Sequence, residues 1–196
     1  MRKILRDVFC AFSLLLLCAC IPEIIPYESI LDTPLRHHEN GMKLLHAGKI
    51  EASKSEFNRC LEIDREYAPG YVGLGLISGI KGDYSNAMDK MNFAGLFTRN
   101  RHEAALVHVG IMRIYLMGGE QISTDWLRKT EEHYQKSILL APEVPDAYYF
   151  MGIAYKVALR WDKALQEFLH VVNINGDFAA EASNYISVIQ ETRKHM

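Results

Sequence analysis

The sequence predicts an all-α protein, a solenoid of about four helix-turn-helix repeats closed by a C-terminal capping helix, and three observations carry that prediction. Residues recur at an interval of 34: Gly41 with Gly75, Gly48 with Gly82, Phe57 with Met91, Cys60 with Ala94, and later Thr130 with Ala164 and Tyr134 with Phe168. Small residues fall where two helices must press together, as in Gly75 with Ala87 and Gly152 with Ala164, amid large ones such as Tyr71, Leu74, Tyr148, Tyr155 and Phe168. The chain then closes on an amphipathic stripe, Ala179, Ala182, Ile186 and Ile189, with Glu181, Asn184, Gln190, Arg193 and Lys194 facing outward.

Taken in order, residues 1–19 read as a secretory leader: Arg2, Lys3 and Arg6 precede an apolar run from Val8 to Leu17. Fourteen apolar residues from Val8 to Ile21 fall short of the ~20 that span a bilayer. The end of this segment, Leu17-Cys18-Ala19-Cys20, resembles the bacterial lipobox, which implies cleavage before Cys20 and acylation of that residue. Two or more acyl chains anchor a protein stably where one does not. Ile21 after the cysteine, and not aspartate, implies the outer membrane, facing the periplasm. Residues 20–33 form a tether in which Pro22 and Pro26, with Pro34 just beyond, oppose helix. That tether is apolar, with Ile24, Ile25, Tyr27, Ile30 and Leu31.

The repeats are expected near residues 34–67, 68–101, 102–142 and 143–178, followed by the capping helix at 179–194; the whole domain runs from 34 to 196. Asn100 with Glu103 reads as a capping box opening the third repeat. In that repeat Leu106, Val109 and Gly110 fit the first helix, but Thr130, Tyr134 and Pro142 arrive eight residues late. An insertion at 117–124 (MGGEQIST) accounts for the delay, and Thr124 or Asp125 is placed to cap the helix that begins near Trp126.

A large residue, then Leu-Gly, tyrosine, alanine and an aromatic is the pattern that Tyr148, Met151, Gly152, Tyr155, Ala164 and Phe168 carry; Tyr71, Leu74, Gly75, Ala87, Met91 and Ala94 carry it too. On these residues the chain resembles the tetratricopeptide (TPR) family over residues 34–178. The resemblance implies a concave wall lined by the first helix of each repeat, able to hold a peptide or helix of another protein. The wall is expected to expose His38, Met42 and Leu45; Val72, Leu76 and Ile80; Val107, Ile111 and Ile114; and Tyr149, Ile153 and Lys156. Most are apolar, and a contiguous apolar strip marks a binding surface. His38 and Met42 stand where a chaperone-binding subclass of the family has lysine and asparagine, so an anionic terminus is a poor ligand and an amphipathic helix a better one.

Composition narrows the alternatives. The formal charge is -2, and removal of the leader leaves 19 basic and 23 acidic residues, which argues against nucleic acid as a partner. Among the eight histidines, none has another histidine or an acidic residue three or four positions later on its helix, so no metal or cofactor is expected. The phase of Cys60 buries it, and with Cys20 modified no disulfide framework remains. Gly73, Gly75 and Gly79 are packing glycines in a helix, not a phosphate loop. The reading is therefore no enzyme and no small-molecule substrate. It is a lipid-anchored protein-binding scaffold or assembly factor of the bacterial envelope, resembling the TPR lipoproteins that act as pilotins for pilus or secretion pores. The alternatives are a permanent structural subunit of an envelope complex and, less favoured, a regulatory partner of a peptidoglycan enzyme.

Overall fold

The structure, a computed structural model, describes residues 32–194. The expected leader, Cys20 and the tether up to residue 31 lie outside the described residues. Among those described there are nine α-helices and no strand: α1 (Pro34–His46), α2 (Ile50–Ile63), α3 (Ala68–Ile80), α4 (Tyr84–Leu96), α5 (Arg101–Gly118), α6 (Trp126–Leu140), α7 (Pro145–Val157), α8 (Trp161–Ile174) and α9 (Ala179–Lys194). Helices α1, α3, α5 and α7 lie side by side in one layer, and α2, α4 and α6 each pack against their own partner and the first helix of the next pair. The final helix, α9, packs on α8.

Local chemistry sets the helix ends. Pro34 and Pro145 open α1 and α7, where a missing N–H costs nothing, and the Thr33 hydroxyl accepts the Arg36 N–H. Asp83 caps α4 by accepting from Asn86 N–H. The Asn100–Glu103 box is present: the Asn100 side chain accepts the Glu103 N–H at 2.8 Å, and the Glu103 carboxylate accepts the Arg99 N–H at 2.8 Å. Asp125 stands at the N-cap of α6 but caps no backbone N–H, because its carboxylate is taken by the Ser123 hydroxyl and the Arg128 guanidinium.

The first, second and fourth helix pairs meet through glycine against a large side chain. A Cβ at Gly41 would sit 2.6 Å from the Phe57 ring, and one at Gly152 would sit 2.7 Å from the Phe168 ring, so only glycine admits those rings without displacement. Phe57, Met91 and Phe168 are fully enclosed, each stabilising by ~1.5–3 kcal/mol on burial. Tyr185 of α9 stacks on Phe168 with centroids 5.1 Å apart, and Ala182 and Ile189 are buried beside it. The outward residues of α9 are all exposed.

Turns of one kind at Gly48, Gly82 and Leu159, and a differently shaped one at Gly119 (φ 51, ψ -128), mark the register of the pairs. Gly48, Gly82, Gly119 and Leu159 all have positive φ, and each follows a first-layer helix. Hydrogen bonds agree. The Cys60 thiol donates to Pro34 O in the first pair, and the Ser137 hydroxyl donates to Ala105 O in the third. Ala105, not a residue at the start of α5, is thus the counterpart of Pro34 and Ala68, and Arg101–Ala104 form an extra turn. The third pair is consequently lengthened in two places, once before Ala105 and again over residues 120–125 after the turn glycine, where a single insertion at 117–124 was expected. The second addition folds back: Ile122 packs against Gly118 and the core below α4, and the Tyr84 hydroxyl donates to Met117 O.

Candidate protein-binding groove

One apolar cavity of about 390 Å³ opens on the first-layer side of the solenoid. Helix α1 contributes His38 and Met42, α3 contributes Val72 and Leu76, and α5 contributes Leu106, Val109, Gly110 and Arg113. Val144, Pro145 and Asp146 at the start of α7, with Gly176 and Asp177 from the loop before α9, form its far end. The extra turn of α5 supplies His102 and Glu103 at the rim, and Arg101 pins that turn by donating to Leu139 O and Leu140 O of α6.

Of the twelve expected wall residues, His38, Met42, Val72, Leu76 and Val107 line this cavity. The others do not. Leu45 and Ile111 are buried between helices, and Ile114 is completely enclosed in the core with Ala87 and Met91. Ile80 is exposed beyond the cavity. The error in α5 is one of register: counted from Ala105, the counterparts of His38 and Met42 are Val109 and Arg113, so Ile111 and Ile114 are turned toward the helix interior and Val107, though largely buried, reaches only the cavity edge. Tyr149, Ile153 and Lys156 keep the register but are covered. Tyr149 stacks on Phe178 with centroids 4.2 Å apart, the Lys156 ammonium lies 4.5 Å over the Tyr185 ring, and Ile153 packs into the same cluster. The loop before α9 and α9 itself therefore close the wall at the fourth pair.

The charges of the groove sit among apolar neighbours. The Arg113 guanidinium lies 4.6 Å over the Phe150 ring. Loss of water pulls its pKa down to about 10, against the opposing pull of Asp146. Asp146 is pushed above the usual carboxylate range by desolvation, which Arg113, its own backbone N–H and His46 only partly offset. Burial likewise lowers the His38 imidazole, which keeps it neutral against Phe57 and Tyr67.

A second cluster was invisible to within-helix spacing. His108 of α5 and His133 of α6 bring their Nδ1 atoms to 3.1 Å. Burial first, then His108 and the nearby Lys136 and Lys129, lower His133 to about 4, so the two rings are a neutral hydrogen-bonded pair. Among the described residues no group of three or more potential ligands could hold a metal. Cys60 is buried, its thiol raised to about 12 by desolvation and donating to Pro34 O, which leaves no reactive thiolate at neutral pH.

No protein-family model matches the sequence, and no curated protein matches it either. Solved structures do. One structure of MamA superposes with a TM-score of 0.51 at 19% identity, covering 79% of this chain and 84% of that one. The fold is a TPR-like helical-repeat solenoid. A second MamA structure gives 0.49 at 18% identity over 82% of each chain, and YrrB, described as a TPR protein with an unusual peptide-binding site, gives 0.44 at 17% over 85% and 81%. At these identities the likeness is one of TPR-like architecture alone.

Proposed function

We propose that this TPR-like chain is a protein-binding scaffold whose groove receives an apolar segment of another polypeptide. The observation that carries the reading is the cavity itself: side chains from α1, α3 and α5, consecutive in the first layer, leave a shared apolar surface uncovered by any described element. An open apolar surface of this kind is costly in water unless something occupies it. The leader and the lipobox-like Cys20 extend the proposal to a lipid-anchored protein of the bacterial envelope, at the outer membrane facing the periplasm, with a pilotin-like role in pore assembly as its most specific form. Among the described residues no helix is long and apolar enough to cross a membrane; in this reading the acyl chains on Cys20 provide the attachment.

Crosslinking from membranes tests it. Val72 and Leu106 line the cavity and are only partly buried, so Val72→Glu with Leu106→Glu should abolish capture of a partner while circular dichroism keeps its helical signal. Capture that survives the double variant moves the site off this wall. Cys20→Ser should release the chain from the membrane fraction, and unchanged membrane residence would remove the lipid anchor from the proposal.

A further inference from the structure

The register places one guanidinium where the wall is otherwise apolar: Arg113 stands in line with Met42 and Leu76. Among the described residues it forms no ion pair, and neither do Asp146 and Asp177, which line the same end of the cavity. Glu103 adds a third carboxylate at the rim. Glu103 is held by the Arg99 N–H and the Asn100 side chain, so one permanent cation shares with two unpaired carboxylates, Asp146 and Asp177, a surface whose remaining lining is mainly apolar.

Covering such a surface strips water from every charge in it. A wholly apolar partner would leave the surplus negative charge stranded, and an acidic one would add to it. Asp146 already lies in a position where its existing partners do not make up for lost water. The segment with the least penalty is one that brings positive charge to this end of the groove.

Resting on the groove reading above, we infer that the cavity selects an amphipathic segment with a lysine or arginine beside its apolar face, seated against Asp146 and Asp177 at the α7 end. Arg113 then acts as a specificity element: paired at a distance with Asp146, it limits how many positive charges the partner can carry there.

Two synthetic helical peptides of about 16 residues test this, sharing one leucine stripe and differing only in lysine or glutamate on the flanking positions. Titrated against the full chain in detergent by fluorescence anisotropy, the lysine peptide is expected to bind at least about tenfold tighter at low salt, with the gap narrowing as salt screens the charges. Arg113→Met copies the native Met42 in register and should fit; it is expected to tighten the lysine peptide severalfold. Asp146→Asn with Asp177→Asn should bring the two peptides to within about twofold of each other.

A glutamate peptide that binds equally or better overturns the inference, as does weaker binding of the lysine peptide by Arg113→Met. Equal binding of both peptides that Val72→Glu with Leu106→Glu abolishes would refute charge selection while keeping the groove. Binding of neither peptide would remove both.

Discussion

The third and fourth helix pairs depart from the first two in opposite ways. The fourth keeps its length but has Leu159, not glycine, in the left-handed turn, and its wall is roofed by Phe178 and Tyr185. The third has a glycine, Gly119, after its first helix but in a turn of another shape (ψ -128); it carries added residues on both sides of its helix contact, and its wall is open, with Arg113 in it. The contact between paired helices and the connections around it are thus separately constrained: length can grow outside the contact, at the start of α5 and after Gly119, because lengthening a surface connection is cheap. The contact itself stays enclosed in both pairs although its residue changes. In the fourth pair it is Gly152 against an enclosed aromatic ring, and in the third pair the same register position is Met112, also fully buried.

Removing the ring is the most damaging single change to the fourth pair. Phe168→Ala leaves a cavity below Gly152 and takes away the stack with Tyr185, so it is expected to cost ~3–5 kcal/mol in urea unfolding. A loss below ~1 kcal/mol would show that the fourth pair does not depend on the contact assigned to it.

The next effect belongs to the third pair alone. The folded chain holds His133 neutral with a pKa of about 4, whereas the unfolded chain protonates it near ~6.5. The unfolded state therefore binds more protons between those values: the stabilisation is fully present above about pH 6.5 and is lost as pH falls toward 4. The expected loss over that window is on the order of 1–3 kcal/mol. Between pH 7 and about 5.5, above the range of ordinary carboxylates, the melting temperature should fall in the parent and fall less in His133→Gln; equal slopes would remove the histidine pair as the cause.

Gly152→Ala and Gly110→Ala compare the two pairs directly. In both, a Cβ would lie 2.7 Å from its nearest neighbour, but at Gly152 that neighbour is the Phe168 ring and at Gly110 it is the thioether sulfur of Met91. A ring cannot fold aside as a methionine can. Alanine returns up to ~1 kcal/mol of helix propensity at either site, so Gly152→Ala should still lose ~1–2 kcal/mol while Gly110→Ala stays within ~1 kcal/mol of the parent. Equal losses would mean that Met91 is held as rigidly as the ring.

The fold was legible because its period is carried by residues whose size matters: Gly41, Gly75 and Gly152 are readable as contacts, and the α9 stripe is readable as a lid. The α1 and α3 side of the groove was legible for the same reason, since His38, Met42, Val72 and Leu76 follow the period. The third pair misled because Gly110 looks like the contact glycine and is not. It meets Met91 of the preceding pair, as Gly73 meets Phe57, while Met112 holds the position Gly110 was given. A two-residue slip on a helix turns a side chain by about 200°, enough to send Ile111 and Ile114 inward and to hide Arg113. The turn glycines could have corrected it, because Gly119 continues the series from Gly48 and Gly82 once three added residues precede it. Closure of the fourth wall by Phe178 and Tyr185 was not legible, since it depends on where α9 docks and not on any repeat position.

Leu159 stands out in the turn series as its one residue that is not glycine. Leu159 has φ 57 and is 68% exposed, so its side chain contributes little packing to offset a backbone conformation that disfavours a Cβ. The left-handed region costs an L-residue ~1–2 kcal/mol, and glycine recovers this but gives back ~0.5–1 kcal/mol through the freer unfolded chain. Leu159→Gly should therefore stabilise by up to ~1 kcal/mol, detectable as a raised urea midpoint with unchanged slope. The converse at Gly82, where φ is 80 and nothing crowds a Cβ, isolates the backbone term: Gly82→Leu should destabilise by a similar amount. If the two substitutions shift stability in the same direction, the turns at Gly82 and Leu159 are not equivalent.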